Sequence, residues 1–190
     1  MFKLMTTKFK TGAGRLKIVR AARRLLRRQD GAVAVEFGLV AAPFLVLVFA
    51  IMETAIIFFS GQALETAVAD SARLILTGQA QTSGFDKAKF KTAVCQKVVG
   101  LFDCANGVYV DVKTFTSFGN VTMNSPLDAS GNFVDNSTYN PGGPGDIVVV
   151  RLFYQWPVYL SLLGFTMSNM SGGKRLLVAT AAFRNEPYGS

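Results

Sequence analysis

Hydrophobic and polar positions divide this chain into one long apolar stretch near its start and a mixed region after it. Residues 32–59 are almost entirely apolar, and the sixteen residues from Phe37 to Met52 are all uncharged. As an α-helix, residues 32–59 would measure about 42 Å, which exceeds the roughly 30 Å hydrocarbon core of a bilayer. The pattern predicts one tilted or protruding transmembrane helix, in which Pro43 removes a backbone hydrogen bond and permits a local kink or melting.

Residues 60–102 change to a helical period rich in small side chains, which predicts a helical continuation followed by a second helix. Gly78 to Gly84 is a polar break between the two helices. Ser83 to Asp86 is interpreted as a capping box that starts the second helix. This helix would run to about Leu101, with inward residues Ala93, Val94, Val98 and Leu101. Packing of the first helix on its own domain is favoured over an intersubunit stripe. Its expected contact face is Leu64, Ala67, Val68, Ser71, Ala72 and Ile75.

Residues 103–190 contain three stretches in which apolar and polar residues alternate, as in half-buried strands. They are residues 108–115, 146–154 and 175–183. The expected buried positions are Val108, Val110, Val112 and Thr114, then Val148, Val150, Leu152 and Tyr154, then Leu177, Ala179, Ala181 and Phe183. The chain is therefore predicted to be α+β: a long N-terminal transmembrane helix, a second helix, and a small antiparallel sheet of about three strands.

Two connections between these strands carry further signals. Residues 116–145 are rich in Asn, Ser, Gly and Pro and predict a long loop that is either functional or mobile. Within it, residues 128–136 have the polar composition of a calcium loop, but Phe133 replaces the glycine of its sixth position and no glutamate closes it. Residues 156–165 are apolar, too short to span a bilayer and interrupted by Pro157, which favours a membrane-apposed or partner-binding linker.

The net charge of +8 is concentrated at the N-terminus. Residues 1–30 carry ten Lys/Arg and one acid, whereas the rest of the chain carries ten basic and eleven acidic residues. This leader could form a basic amphipathic helix on anionic lipid, but a positive-inside anchor that keeps the N-terminus in the cytoplasm is favoured. Nucleic-acid binding is disfavoured because the basic block directly precedes an apolar span, and transit and secretory signal peptides fit the length of that span poorly.

The side-chain inventory argues against an enzyme. The chain has no histidine, which removes the usual general base, the histidine-activated nucleophiles and the commonest zinc ligand. Two cysteines alone cannot build a four-ligand metal site. We therefore expect no catalytic residues, no metal and no cofactor.

Two acids, Glu36 and Glu53, lie inside or beside the predicted span. Ionisable residues in such places are costly and usually have a partner or a function. Only six uncharged residues of the span follow Glu53, so it can reach an interface, whereas Glu36 has apolar residues on both sides. Glu36 follows Gly31 by five residues, and a cut after Gly31 would create a largely protonated α-amine on Ala32. That amine could meet Glu36 one helical turn away, and without a cut Arg27 or Arg28 could do so.

The sequence Gly31-Ala-Val-Ala-Val-Glu36-Phe resembles the processing site of type IV pilin-like proteins, and more closely that of the TadE/TadG-like pseudopilins of the tight-adherence (Flp-type) pilus system. The basic leader, Glu53, the stretch of residues 61–78 and the ending FRNEPY at 183–188 are also similar to that family. The resemblance implies cleavage after Gly31 by a prepilin peptidase on the cytoplasmic side. It also implies that Glu36 pairs with the new amine of a neighbouring subunit during assembly.

The resemblance further implies four segments: a cytoplasmic leader over 1–31, a transmembrane helix over 32–59, helices over 60–102 and an exported β-rich part over 103–190. The protein would cross the bacterial inner membrane once, with its C-terminal part periplasmic. Its partners would be the prepilin peptidase, other pilins and the pilus assembly platform. Because the bulk subunit of such pili is very small, a minor pilin or pseudopilin that seeds, caps or joins the pilus is favoured.

Cys95 and Cys104 would lie in the oxidising compartment under this topology, where a disulfide is expected for a lone pair. Closing a loop of about ten residues stabilises a fold by roughly 2.5–3 kcal/mol in the chain-entropy model. The alternative function is a permanent single-pass envelope protein that is never cut and whose exported domain binds a partner. An N-terminus at Ala32 in the membrane-bound protein distinguishes the first function from the second.

Overall fold

A computed structural model of the protein describes residues 29–98, 100, 102–160 and 166–188. Along the chain it contains α1 (Gln29–Leu76), α2 (Gln79–Thr82), α3 (Lys87–Lys97), α4 (Cys104–Gly107), β1 (Val108–Phe115), a short 3₁₀ helix (Phe118–Asn120), β2 (Ile147–Pro157) and β3 (Lys174–Arg184). The predicted α+β class, with a long N-terminal helix and a three-stranded antiparallel sheet, is confirmed. The basic leader lies outside the described residues up to position 28, as do the five residues 161–165.

Helix α1 contains the whole predicted transmembrane segment and the predicted helical continuation in 48 residues. Its helical assignment is uninterrupted at Pro43. By compactness the chain divides between Phe49 and Ala50, so that the first part of α1 is one unit and the second unit contains everything from Ala50 onward. In the second unit α1 buries the predicted face completely: Leu64, Ala67, Val68, Ser71, Ala72 and Ile75 are all buried.

The break after α1 differs from the prediction in two details. Residues 79–82 form the single helical turn α2 rather than an irregular loop. Helix α3 begins at Lys87, and its N-cap is Asp86 rather than the predicted Ser83, because the Asp86 carboxylate accepts a hydrogen bond from the Lys89 N–H at 2.7 Å. Helix α3 ends at Lys97, earlier than the predicted Leu101, and it buries Phe90 and Val94.

The three strands form one antiparallel sheet in the order β1-β2-β3. In the register of the sheet, Tyr154 of β2 is opposite Val108 of β1 on one side and opposite Leu177 of β3 on the other. The predicted inward positions of all three strands lie on one face, which packs against α1, α3 and Phe102 to form the core. Of those twelve positions only Thr114 lies outside this cluster, and its hydroxyl donates to the carbonyl of Asn140.

The second face of the sheet is more buried than alternation predicts. Every residue of β2 from Ile147 to Phe153 is buried, including the outward ones. The reason is that the long loop folds over this face: the Phe133 ring lies 4.6 Å from that of Tyr109 and 5.8 Å from that of Phe153. The loop also runs along β1, where Val112 exchanges backbone hydrogen bonds with Thr138 and Asn140.

Candidate functional site: the long helix and the groups that engage it

The Gly31–Ala32 bond lies within α1, which the structure describes from Gln29 onward. Glycine is less favourable than alanine in a helix by about 1 kcal/mol. Gly31 therefore makes it easier for the helix to open at this bond. Local opening of this kind is what exposes a peptide bond to a protease.

Glu36 is exposed on α1, one turn beyond Ala32 and therefore on the same side of the helix. Its neighbours Val33, Val35 and Phe37 are 69%, 64% and 73% exposed, so the carboxylate is set in an apolar surface. Among the described residues, Glu36 has no hydrogen bond or ion pair. Its alternative partners Arg27 and Arg28 lie outside the described residues.

The segment of α1 from residue 32 to residue 52, called here the uncovered segment, has no buried residue. Its large apolar side chains are exposed in every direction around the helix, among them Leu39, Val40, Phe44, Leu47, Phe49 and Ile51. A helix that is apolar on all sides belongs in a membrane or in a protein core. In the part of the chain that the structure describes, α1 is the one helix long and apolar enough to cross a membrane, which is consistent with a membrane anchor.

Glu53 follows the uncovered segment and is engaged by a distant part of the chain. Its Oε1 accepts a hydrogen bond from the Tyr159 N–H at 2.6 Å, and its Oε2 accepts one from the Leu160 N–H at 3.1 Å. The adjacent Thr54 hydroxyl lies 3.3 Å from the Met167 sulfur. Sequence reasoning identified Glu53 but not its partners, because they are more than a hundred positions away and backbone donors leave no residue signal.

The FRNEPY ending, residues 183–188, is hydrogen-bonded to the C-terminal end of α1. The Glu186 N–H donates to the carbonyl of Leu76, the last residue of α1, at 2.9 Å. Asn185 is buried, and its side-chain amide donates to the carbonyls of Pro141 and Gly143. The segment that resembles the family at the C-terminus therefore joins the end of the long helix to the loop that precedes β2.

A buried ion pair on the outer face of the sheet was not predicted. The Arg151 guanidinium donates to the Asp111 carboxylate at 2.7 Å and 3.2 Å, and the Thr138 N–H donates to the other Asp111 oxygen at 2.9 Å. Burial raises the pKa of Asp111, but the hydrogen bonds from Thr138 and Arg151 and the charge of Lys113 outweigh it and leave the pKa below its usual value. Arg151 also donates to the carbonyl of Asn124, so the pair holds the long loop on the sheet.

The two cysteines are joined in a disulfide between α3 and α4. In the segment with calcium-loop composition, the Asp128 carboxylate accepts hydrogen bonds from the backbone N–H groups of Ser130 and Asn132 and so closes a local turn. These bonds lower the pKa of Asp128. Among the described residues no three His, Cys, Asp or Glu side chains are grouped in a way that could hold a metal ion.

These features define a class: an α+β protein whose N-terminal helix is uncovered and membrane-length at one end and packed on a small sheet at the other. Residues 31–73 match the model of the TadE-like protein family. The matched range begins at Gly31 and ends three residues before the end of α1, so the family signal covers both the uncovered and the packed parts of this helix. The chain thus carries a TadE-like segment, and the resemblance drawn from its sequence is confirmed there.

The match supports a protein associated with the tight-adherence pilus. No curated protein matches this chain, and no solved structure does.

Proposed function

We propose that this protein is a minor pilin or pseudopilin that acts in assembly of a tight-adherence pilus after a prepilin peptidase removes residues 1–31. The observation that carries the proposal is where the family match begins. It begins at Gly31, directly before the exposed apolar residues of the uncovered segment, which starts at Ala32. The processed N-terminus would then be the first residue of an uncovered apolar helix.

The charge distribution supports a leader that serves topology and is then discarded. Residues 1–30 hold ten Lys/Arg and one acid, and positive charge next to a span retains that side in the cytoplasm. The remaining chain has ten basic and eleven acidic residues. Cleavage would therefore leave a nearly neutral protein, anchored in the inner membrane by α1 with its sheet domain in the periplasm.

Glu36 would set the register of assembly. A carboxylate surrounded by exposed apolar side chains is strongly disfavoured in lipid unless it is paired. The amine that cleavage creates on Ala32 is a cation at the depth of Glu36, supplied either by a neighbouring subunit or by the same helix. Pairing with a neighbour requires one axial offset between two helices and would thereby align them.

Substitution of Glu36 tests this role. A charge-assisted pair contributes roughly 1.5–3 kcal/mol, so Glu36→Gln is expected to reduce incorporation or assembly by about tenfold to a hundredfold. The N-terminus should still be Ala32, because the peptide bond itself is unchanged. The measurement is the amount of pilus sheared from cells, together with mass spectrometry of the membrane-bound protein.

Glu65 provides the matched control, since it is also an exposed glutamate on α1 but lies beyond the uncovered segment. Glu65→Gln should leave pilus yield unchanged. Normal pilus yield with Glu36→Gln would remove the proposed role of Glu36, and an uncut chain would instead favour the permanent envelope protein.

A further inference from the structure

The segment Val158–Leu160, called here the turn, is hydrogen-bonded to Glu53 of α1. At this level the surface of the helix is still apolar. Beyond Glu53 toward the sheet domain, Ile56, Phe58 and Phe59 remain 45%, 66% and 58% exposed. Phe59 is six residues past Glu53, so the apolar surface continues for about 9 Å along the helix axis. The turn therefore lies beside an apolar part of the helix and not beyond its end.

The turn is held at this level by its own packing as well as by Glu53. Val158 packs against the hydrophobic core, and its N–H donates to the carbonyl of Gly173 at 3.1 Å. Tyr159, in contrast, is 81% exposed. An exposed aromatic residue whose backbone is bonded to a membrane-length helix is typical of a bilayer interface, where tyrosine is enriched.

Glu53 supplies the hydrogen-bond acceptors that allow the non-helical backbone of the turn to lie beside the apolar surface of α1. Non-helical backbone is excluded from lipid because each N–H without an acceptor costs several kcal/mol. The Glu53 carboxylate accepts from two consecutive N–H groups of the turn, those of Tyr159 and Leu160. The acid and the turn thus satisfy each other, which removes the cost of placing either one near lipid alone.

We propose that the turn at Val158–Leu160 is a second membrane-contact element, which inserts Tyr159 into the interfacial region of the exported leaflet, and that Glu53 is the positioning residue that holds it there. The occupant of this surface is lipid. The proposal depends on α1 crossing a bilayer, which is part of the proposed function, but not on cleavage or on pilus assembly.

Depth-dependent fluorescence quenching tests the proposal on the full chain in phosphatidylcholine vesicles. Trp156 is the chain's single tryptophan, so Trp156→Phe gives a dark background. In that background Tyr159→Trp is expected to be quenched by lipids brominated near the carbonyl end of the acyl chain and much less by lipids brominated near its methyl end. Quenching should not change as the ratio of protein to lipid is raised.

Phe118→Trp is the matched control, because Phe118 is also an exposed aromatic residue but follows the opposite end of the sheet. The eleven-residue strand β2 separates the two ends by about 33 Å. Quenching at position 159 should exceed that at position 118 severalfold. Equal quenching at both positions overturns the proposal, as does quenching at 159 that falls when protein becomes crowded, since a second protein would then cover the turn.

Three further variants separate the parts of the proposal. Phe44→Trp reports on the membrane-spanning segment alone. Strong quenching at position 44 by deeply brominated lipids, with no quenching at position 159, would contradict the proposed membrane contact of the turn but not the membrane anchor. No quenching at position 44 would contradict the membrane anchor itself. Glu53→Ala in the Tyr159→Trp chain should lose most of the quenching and shift the emission to the red, while Glu53→Gln, which keeps an oxygen acceptor, should retain most of it. Unchanged quenching with Glu53→Ala would refute the positioning role.

Discussion

Three acidic residues of this protein occupy surroundings that would each be costly for an isolated carboxylate. Glu36 lies in the uncovered segment, Glu53 accepts from two backbone N–H groups, and Asp111 is buried against Arg151. The same carboxylate group thus has different partners: two backbone N–H groups for Glu53, a fixed guanidinium for Asp111 and, in the proposed function, a cation created by processing for Glu36. What differs is whether the partner is already present in the folded single chain.

The surroundings of these three acids could not be predicted equally well from the sequence. Glu36 was found because its spacing from Gly31 is a local signal. Asp111 lies between the predicted buried positions Val110 and Val112, so alternation does not predict its burial, although it is buried. Its partner Arg151 is forty residues away, and strand register, which sets Asp111 opposite Arg151, is a property of the folded sheet and not of either segment.

Removing the Asp111 carboxylate should destabilise the domain strongly. Breaking a buried ion pair leaves an unpaired charge, so Asp111→Ala is expected to lower the free energy of unfolding by about 3–5 kcal/mol. Lys113→Ala is the control: its ammonium lies 3.6 Å from the same carboxylate, but its side chain is 27% exposed. That change should cost less than about 1 kcal/mol. Urea unfolding of the full chain in detergent, followed by Trp156 fluorescence, measures both.

The same pair predicts a pH dependence. Because the pKa of Asp111 is lower in the folded protein than its unperturbed value of 3.8, the unfolded state binds more protons between the two values. The stabilisation is therefore complete above pH 3.8 and is lost as the pH falls through the folded pKa. The urea midpoint should fall less steeply below pH 4 in Asp111→Asn than in the wild type. Parallel curves would contradict the assignment, since Asp128 is common to both proteins.

Among the elements, α1 combines two surfaces that belong to different surroundings. Its buried face from Leu64 to Ile75 was predicted from a period of three and four residues, which is a reliable signal because burial on a sheet requires it. The loop that covers the outer face of the sheet could not be predicted in the same way. Its contacts rest on single residues such as Phe133, which have no period.

The end of α1 depends on a close contact between Gly78 and Tyr188. Gly78 has a φ of 76°, and a Cβ there would lie 2.2 Å from Cγ of Tyr188. Gly84 also has a positive φ, of 58°, but an added Cβ would meet nothing within 4 Å. Gly84→Ala should therefore cost only the backbone term, about 1–2 kcal/mol, and Gly78→Ala clearly more.

Thermal unfolding of the two glycine variants and of Gly78→Ala/Tyr188→Ala provides the measurement. In the double variant the ring that would clash is absent, so the extra cost of Gly78→Ala should largely disappear when it is compared with Tyr188→Ala alone. Equal destabilisation by Gly78→Ala and Gly84→Ala would show that the C-terminal ending does not pack on the helix end as described.

For the whole molecule, sequence reasoning reached the fold class and the TadE-like segment, but not the contact between Glu53 and the backbone of Tyr159 and Leu160. Residues 156–165 were interpreted as membrane-apposed or partner-binding, and the choice between these required the position of Glu53 relative to Tyr159. The proposed membrane contact of Val158–Leu160 rests on the position of this segment beside exposed apolar residues of α1.

The most direct test of the account is the N-terminal residue of the membrane-bound protein, determined by mass spectrometry in cells with and without an active prepilin peptidase. With the peptidase, the chain should begin at Ala32, and without it at the start of the basic leader. Gly38→Ala is a control for changes to the helix, since an added Cβ there meets nothing within 4 Å, and it should leave processing unchanged. A chain that retains its leader in the presence of the active peptidase would contradict the account.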